Sequence, residues 1–393
     1  VIGPSKRARA FAAAAVLAAV GYACSQPPAR PPASRDVVDA SVPDASNLDA
    51  TTGAPLDADL DATLDADPLD ATDGAFEDPM ANHRETREDL LALVSIRPLT
   101  EAEAKTVRAD IFLNLNVGPA VTRMNQGNKA IAKHAIAKEA CLRSLGGVVL
   151  QTEAQRARCG SPYMVPVYRN GDPDSATYCI DVFEFPNRPC ELPFVWTAPT
   201  HAQTMCALQG KRLCTQPEWQ LACRGDPAGG ADRIYAYGDE LDLSVCNTNK
   251  ARARPVACSP VSAKSAWETC ATETEPSGSY PKCRSRFGVY DQHGNVAEVM
   301  TRTDKERGVV TQLKGSAWFY SEVARKHDEP QKVGGVETYP DHCNFDPRWH
   351  VEPIDAAWHV NYHLGFRCCK SIAPITSSSR ASDAGLDASV DAR

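Results

Sequence analysis

Five histidines crowd one stretch towards the C-terminus: His327, His342, His350, His359 and His363, with Glu352 close behind His350. Imidazoles beside a carboxylate would suit iron, zinc or copper(II). Trp349, Trp358 and Tyr362 are interleaved with them, however, and nothing in the sequence places His359 and His363 on one face of a helix. Histidines among aromatics usually pack, and packing is the reading preferred here. Asp181 and Glu184, in Tyr178-Cys-Ile-Asp-Val-Phe-Glu184, have the types of an acid/base pair, but a structural role is the reading preferred here. The fifteen cysteines include Cys24, and the others are even in number, as complete pairing on the oxidising side of a membrane requires. No G-x-S-x-G elbow, P-loop, Rossmann glycine set or H-E-x-x-H occurs. No basic run interleaved with aromatics supports nucleic-acid binding.

The elements that must position these residues are legible in pieces. Thr215 and Glu218 form a T-x-x-E capping box with Pro217 in the first turn, Trp219 and Leu221 give the helix apolar contacts, and Arg224-Gly225 is its exit. In Phe287-Gly-Val-Tyr-Asp-Gln-His-Gly-Asn-Val-Ala-Glu298 an apolar run is broken at His293-Gly294-Asn295, where glycine and asparagine tolerate the positive φ of a tight turn. Residues 84–146 read as helical. A second capping box, Thr100-Glu-Ala-Glu103, precedes Val107, Ile111 and Leu115 at helical spacing up to Gly118, and an Ala-rich helix is predicted from Asn128 to Leu145.

The flanks carry no core. Lys6-Arg7-Ala-Arg9, the apolar Ala10–Val20 and Gly21-Tyr22-Ala23 make residues 1–24 a signal peptide. Cys24 directly after Ala23 invites lipidation, although Gly21 stands where leucine is usual, so a lipoprotein and an ordinarily secreted protein both remain open. Residues 25–82 repeat Leu-Asp-Ala at Leu48, Leu56, Leu60, Leu64 and Leu69, with no Lys or Arg between Arg35 and Arg84. Such a segment has too little apolar surface to offset its ordering entropy and is expected to be a disordered spacer, like the tail 373–393. The net charge of −8 resides mostly there, which leaves the folded part near neutral.

Four motifs in order carry a resemblance: Gly210-Lys-Arg-Leu-Cys-Thr-Gln-Pro-Glu-Trp with Ala222-Cys-Arg-Gly225, then Phe287–Glu298, then Lys314-Gly-Ser316, then Leu364-Gly-Phe-Arg367. Over about residues 175–372 the chain resembles the sulfatase-modifying-factor family, founded on the formylglycine-generating enzyme. The resemblance implies an α+β, C-type-lectin-like domain with little regular structure, over residues 161–372, behind the helical segment 83–160. It implies the disulfides Cys206–Cys368 and Cys223–Cys343, and leaves the other cysteines unassigned. It also implies a structural calcium on Asp291 and Glu298 carboxylates and Gly294 and Val296 carbonyls, since hard oxygen donors suit that ion. Some iron-dependent relatives carry a His-x3-His-x-Glu triad in a preceding helical domain; His83 and His134 stand alone here and do not form one.

The enzyme of this family holds copper(I) between two thiolates, the soft ligands that ion prefers. Those positions fall on Phe319 and near Ala324, and no cysteine occurs between Cys283 and Cys343. A tryptophan of the family's active-site wall is Ala297, and another is Val299. Copper chemistry of the formylglycine-generating kind is therefore not expected. The reading is an exported binding or envelope module, lipid-anchored or secreted, that takes a protein or peptide ligand. The alternative is an oxygen-dependent oxidoreductase with its metal moved to the histidine-rich stretch.

Overall fold

The computed structural model describes residues 77–94, 98–107, 124–250, 263–320, 331–333, 336–338, 341–347, 351–354 and 360–375, all within the unit Thr72–Arg393. The signal peptide, Cys24, the Leu-Asp-Ala repeats, Ile111 and Leu115, Cys258, Ala324, His327, His350 and His359 lie outside these residues. Among them the architecture is α+β: short helices and short strands joined by long irregular segments.

Helices α1 (Arg87–Val94), α2 (Glu101–Thr106), α3 (Lys138–Ser144) and α4 (Glu153–Cys159) come first. Strands β1 (Met164–Val167) and β2 (Tyr178–Asp181) form an antiparallel pair, followed by α5 (Pro199–Leu208), β3 (Arg212–Leu213), α6 (Gln216–Arg224) and α7 (Ala263–Thr269). The long hairpin of β4 (Ala297–Asp304) and β5 (Gly308–Lys314), the small pair β6 (Gln331–Val333) and β7 (Val336–Thr338), then β8 (Leu364–Phe366) and β9 (Cys368–Ser371) complete it. One sheet runs β1-β2-β9-β3, all antiparallel. The other runs β5-β4-β8, with β8 parallel to β4. Only Arg367 separates β8 from β9, so this single residue joins the two sheets.

Both capping boxes form. The Glu103 carboxylate accepts the Thr100 N–H at 2.8 Å, and Glu218 accepts the Thr215 N–H at 2.9 Å and its hydroxyl at 2.8 Å. The second helix ends at Arg224 before Gly225, as its sequence requires. The predicted helix from Asn128 is shorter than expected and begins at Lys138. Backbone groups upstream are claimed elsewhere: Lys133 N–H donates to the Thr272 carbonyl, and Ala135 and Ile136 donate to the Glu275 carboxylate. These tertiary bonds displace the local helical ladder.

The helical segment is not a separate body. Leu90, Leu93, Val94 and Val107 pack in one core with Phe185, Phe194, Met205 and Phe366, where Phe185 stacks on Phe366 with centroids 4.4 Å apart. Arg188 Nε donates to the Leu93 carbonyl and Gln209 Nε2 to the Val94 carbonyl, satisfying groups that the end of α1 leaves open. Cys141–Cys190 and Cys159–Cys179 fasten the same segment covalently.

His83 and His134, isolated in sequence, lie with ring centroids 5.4 Å apart. Each bonds a carbonyl, His83 Nε2 that of Gln126 and His134 Nδ1 that of Thr274, and each buried ring keeps its other nitrogen without a partner. Burial pushes His134 down to about 3 and His83 to about 4. The unfolded chain thus binds the His134 proton near pH 6.5 while the folded one refuses it until about pH 3. Stability from a neutral His134 is complete above pH 6.5 and is lost as pH falls towards 3, by about 1.4 kcal/mol per pH unit. Asparagine can donate to the Thr274 carbonyl without titrating. The stability difference between wild type and His134→Asn is expected to shift against wild type with that slope as pH is lowered. Chemical denaturation at stepped pH measures it, and a pH-independent difference would contradict a neutral buried imidazole.

Candidate functional site

The tight turn that leads into β4 and the end of β5 bring the candidate site together. Asp291, Gly294 and Asn295 all have positive φ (56°, 76° and 62°), which folds His293 back into the interior. Gly294 admits no side chain: a Cβ there would lie 2.3 Å from the Asn247 carbonyl oxygen. Its N–H donates to Ser316 Oγ at 2.9 Å, and the Ser316 hydroxyl donates to Asp341 Oδ2 at 2.8 Å. His293 Nδ1 faces the same Asp341 oxygen at 3.7 Å, while Nε2 accepts the Ala236 N–H at 2.9 Å. Nothing in the sequence marks Asp341, and His293 stands out there only by its place in the Phe287–Glu298 motif.

His293 Nε2 also lies 3.5 Å from Cys223 Sγ and 3.8 Å from Cys343 Sγ. These three side chains are the only metal-ligating group of such closeness among the described residues. The two sulfurs are bonded to each other as a disulfide, so neither is a thiolate ligand. Indeed every described cysteine is disulfide-bonded: Cys206 pairs with Cys368, Cys214 with Cys369, Cys246 with Cys283, and Cys270 is oxidised as well.

Phe319, where the resemblance puts the first thiol, is buried in an aromatic cluster. It is edge-on to Trp318 (5.3 Å) and His363 (5.2 Å) and stacked on Tyr362 (6.0 Å). Trp196 and Trp318 border Tyr362 at 6.4 and 5.9 Å, and both indole N–H groups are buried without an acceptor. Ala297 is buried nearby, its N–H donating to the His363 carbonyl. Of the five histidines only His342 and His363 are described. His342 is buried beside Cys343 with neither ring nitrogen bonded, and burial lowers it to about 4. His363 packs on aromatics, and neither belongs to a described metal-ligating group.

The residues expected to hold calcium meet a cation of the protein's own. Glu298 Oε1 accepts Arg367 Nη2 at 2.6 Å, and Oε2 accepts Arg367 Nε at 2.7 Å and Trp219 Nε1 at 2.9 Å. Asp291 Oδ2 accepts the Gly278 N–H at 2.7 Å, and the Val296 N–H donates to Glu184 Oε1 at 3.0 Å. With both Glu298 oxygens bidentate on a guanidinium, this donor set fits an arginine better than a calcium ion, which the adjacent positive charge would repel. Burial raises Asp291 to about 7 and raises Glu184 well above the carboxylate range, with Asp291 and Glu298 adding to the effect. Asp181 and Glu184 are structural rather than an acid/base pair. Asp181 pairs with Lys211 at 2.7 Å, and Glu184 accepts from Ser277, Asn295 and Val296.

The sequence model of the sulfatase-modifying factor enzyme 1-like domain matches residues 185–372. That stretch is a sulfatase-modifying-factor domain. The chain is similar to the inactive C-alpha-formylglycine-generating enzyme 2 of Mus musculus, 25% identical over 182 residues, covering 46% of this chain and 50% of the relative. It is also similar to the bovine protein of that name (Bos taurus), 28% identical over 133 residues, covering 33% of this chain and 39% of the relative. It thus spans half or less of the length of these relatives. Among solved structures it is similar to CarF, at 16% identity and a TM-score of 0.30, covering 50% of this chain and 87% of that one. The P3c variant of the Major Tropism Determinant is similar at 13% identity and a TM-score of 0.26, covering 55% and 54%. The sulfatase-modifying-factor domain begins inside the described unit, after the helices and β1-β2 that share its cores.

Proposed function

We propose that this sulfatase-modifying-factor domain is a non-catalytic binding module on an exported chain, and that a protein or peptide segment is its ligand. The observation that carries the reading is Phe319, locked among Trp318, Tyr362 and His363 where the family's oxidation needs a thiol. A cuprous site of that kind requires two soft thiolates, and no thiol is free among the described residues. The names of the mouse and bovine relatives agree with a loss of activity. Export fits the disulfide framework, and Cys24 is the residue a lipid anchor would use. No helix among the described residues is long and apolar enough to cross a membrane.

The test is elemental analysis of the oxidised full chain by plasma mass spectrometry, with a cysteine peptide incubated alongside it in oxygen. No stoichiometric copper or iron and no peptide aldehyde are expected. One copper or iron per chain that disappears in the His359→Ala/His363→Ala variant would instead establish the altered-metal oxidoreductase. In the same samples EDTA should leave the melting temperature within about 1 °C, because Arg367 already neutralises Glu298; a shift of about 1 kcal/mol would be seen as 2–4 °C. A fall of several degrees, restored by calcium, would return that ion to the domain.

A further inference from the structure

On a part of the surface that shares no residue with the Phe319 cluster, an open cavity of about 660 Å³ is lined by Arg233, Lys282, Arg284 and Arg286, with Phe287 and Val149 among its apolar walls. We infer that this cavity binds a small oxyanion ester, a phosphate or sulfate group carrying an apolar substituent, and that it does so independently of the module's main ligand. Its volume is that of a small-molecule site.

Among the described residues these charges are only partly balanced. Arg286 pairs with Asp226 at 2.8 Å and donates to the Ala231 carbonyl at 2.7 Å. Arg233 reaches only the Ala236 carbonyl, at 3.4 Å, and Arg284 only the Tyr290 hydroxyl, at 3.3 Å, with its guanidinium 5.7 Å from that ring. Lys282 makes no ion pair among the described residues. The nearby Asp242 feels its charge, but its carboxylate is held by Ser244. Three cations held around one concavity without carboxylate partners raise the local positive potential and concentrate anions. Guanidinium forks match tetrahedral oxyanions in geometry, and an ammonium adds a point charge.

The apolar side is equally specific. Val149 is 72% exposed, the most exposed of the large hydrophobics in the described residues, and it stands on the cavity rim. Phe287 contributes to the wall, fixed edge-on against Tyr168 at 5.7 Å. An inorganic ion would leave this surface wet, whereas an ester with an aryl or alkyl group covers it.

The test is isothermal titration of the oxidised full chain at low ionic strength with phenyl phosphate, phenyl sulfate and inorganic phosphate. Saturable binding of a phenyl ester is expected at sub-millimolar concentration, at least about tenfold tighter than inorganic phosphate and weakening with salt. Whichever phenyl ester binds tighter identifies the preferred oxyanion. Lys282→Ala/Arg284→Ala should weaken binding at least about tenfold with an unchanged melting temperature, since both side chains are exposed. Lys129→Ala, which is not among the lining residues and pairs with Glu85 at 3.6 Å, should have no effect. Equal weakening by Lys129→Ala, binding that survives the double substitution, inorganic phosphate equal to both esters, or no saturation by 10 mM (roughly the weak limit for a specific small-ligand site) would each overturn the assignment.

Discussion

Replacing Arg367 with methionine is expected to destabilise the domain by about 3–5 kcal/mol, the cost of leaving a buried charge without its partner. The residue is 1% exposed and is the single residue between β8 of one sheet and β9 of the other. Its guanidinium bonds both Glu298 oxygens, the Tyr290 carbonyl at 2.8 Å, and the Asp181 and Val182 carbonyls at 3.1 and 3.3 Å. Its removal leaves Glu298 unpaired in the neighbourhood of Asp291 and Glu184, both already raised by burial. Thermal unfolding of oxidised protein should show a drop of roughly 10 °C. Arg367→Met/Glu298→Gln should recover part of it, because the second change removes the orphaned charge. A single variant that melts with wild type would mean that the arginine is not the organising cation of this site.

The second large effect concerns two disulfides that act as one. Cys206–Cys368 and Cys214–Cys369 span separations of 162 and 155 residues and fasten α5 and the residue that follows β3 to adjacent positions of β9. While either bond stands, the long loop is closed, so losing the other opens only a short detour. In the chain-entropy model the loss of one bond costs about 2–3 kcal/mol, and the loss of both costs about 6 kcal/mol with Cys223–Cys343 retained. Cys206→Ala/Cys368→Ala and Cys214→Ala/Cys369→Ala should therefore each lower stability by about 2–3 kcal/mol, and the quadruple variant by about 6 kcal/mol, at least the sum of the two. Chemical denaturation of the three oxidised variants measures it, and a pair variant that loses as much as the quadruple variant would show that the two bonds do not close one shared loop.

Much of this site was readable before the tertiary structure. The Thr215–Glu218 box is written in adjacent residues and forms where local chemistry puts it. The turn at His293-Gly294-Asn295 was legible because positive φ is costly for most other residues. The four ordered motifs marked the family domain, and Phe319 in place of a thiol needed only the residue's identity. Reading stopped where partners are distant in sequence. Asn128–Ala137 has the composition of a helix, yet a carboxylate about 140 positions away, Glu275, takes its N–H groups. Asp291 and Glu298 have carboxylate oxygens readable in the sequence, but only the tertiary structure brings Arg367 Nη2 to 2.6 Å from Glu298.

The sequence by itself determined what depends on residue type and near neighbours: the helix caps, the tight turn, the family, and the want of a thiol pair between Cys283 and Cys343. The tertiary structure decided what depends on convergence of separate segments. It merged the N-terminal helices with the family domain in one core, spent the two buried sulfurs beside His293 on each other, and gathered the basic residues of 233 and 282–286 around one cavity. The physical reason is that caps and turns are short-range hydrogen-bonding problems with few solutions. A buried charge or an open pocket is defined by everything that packs around it.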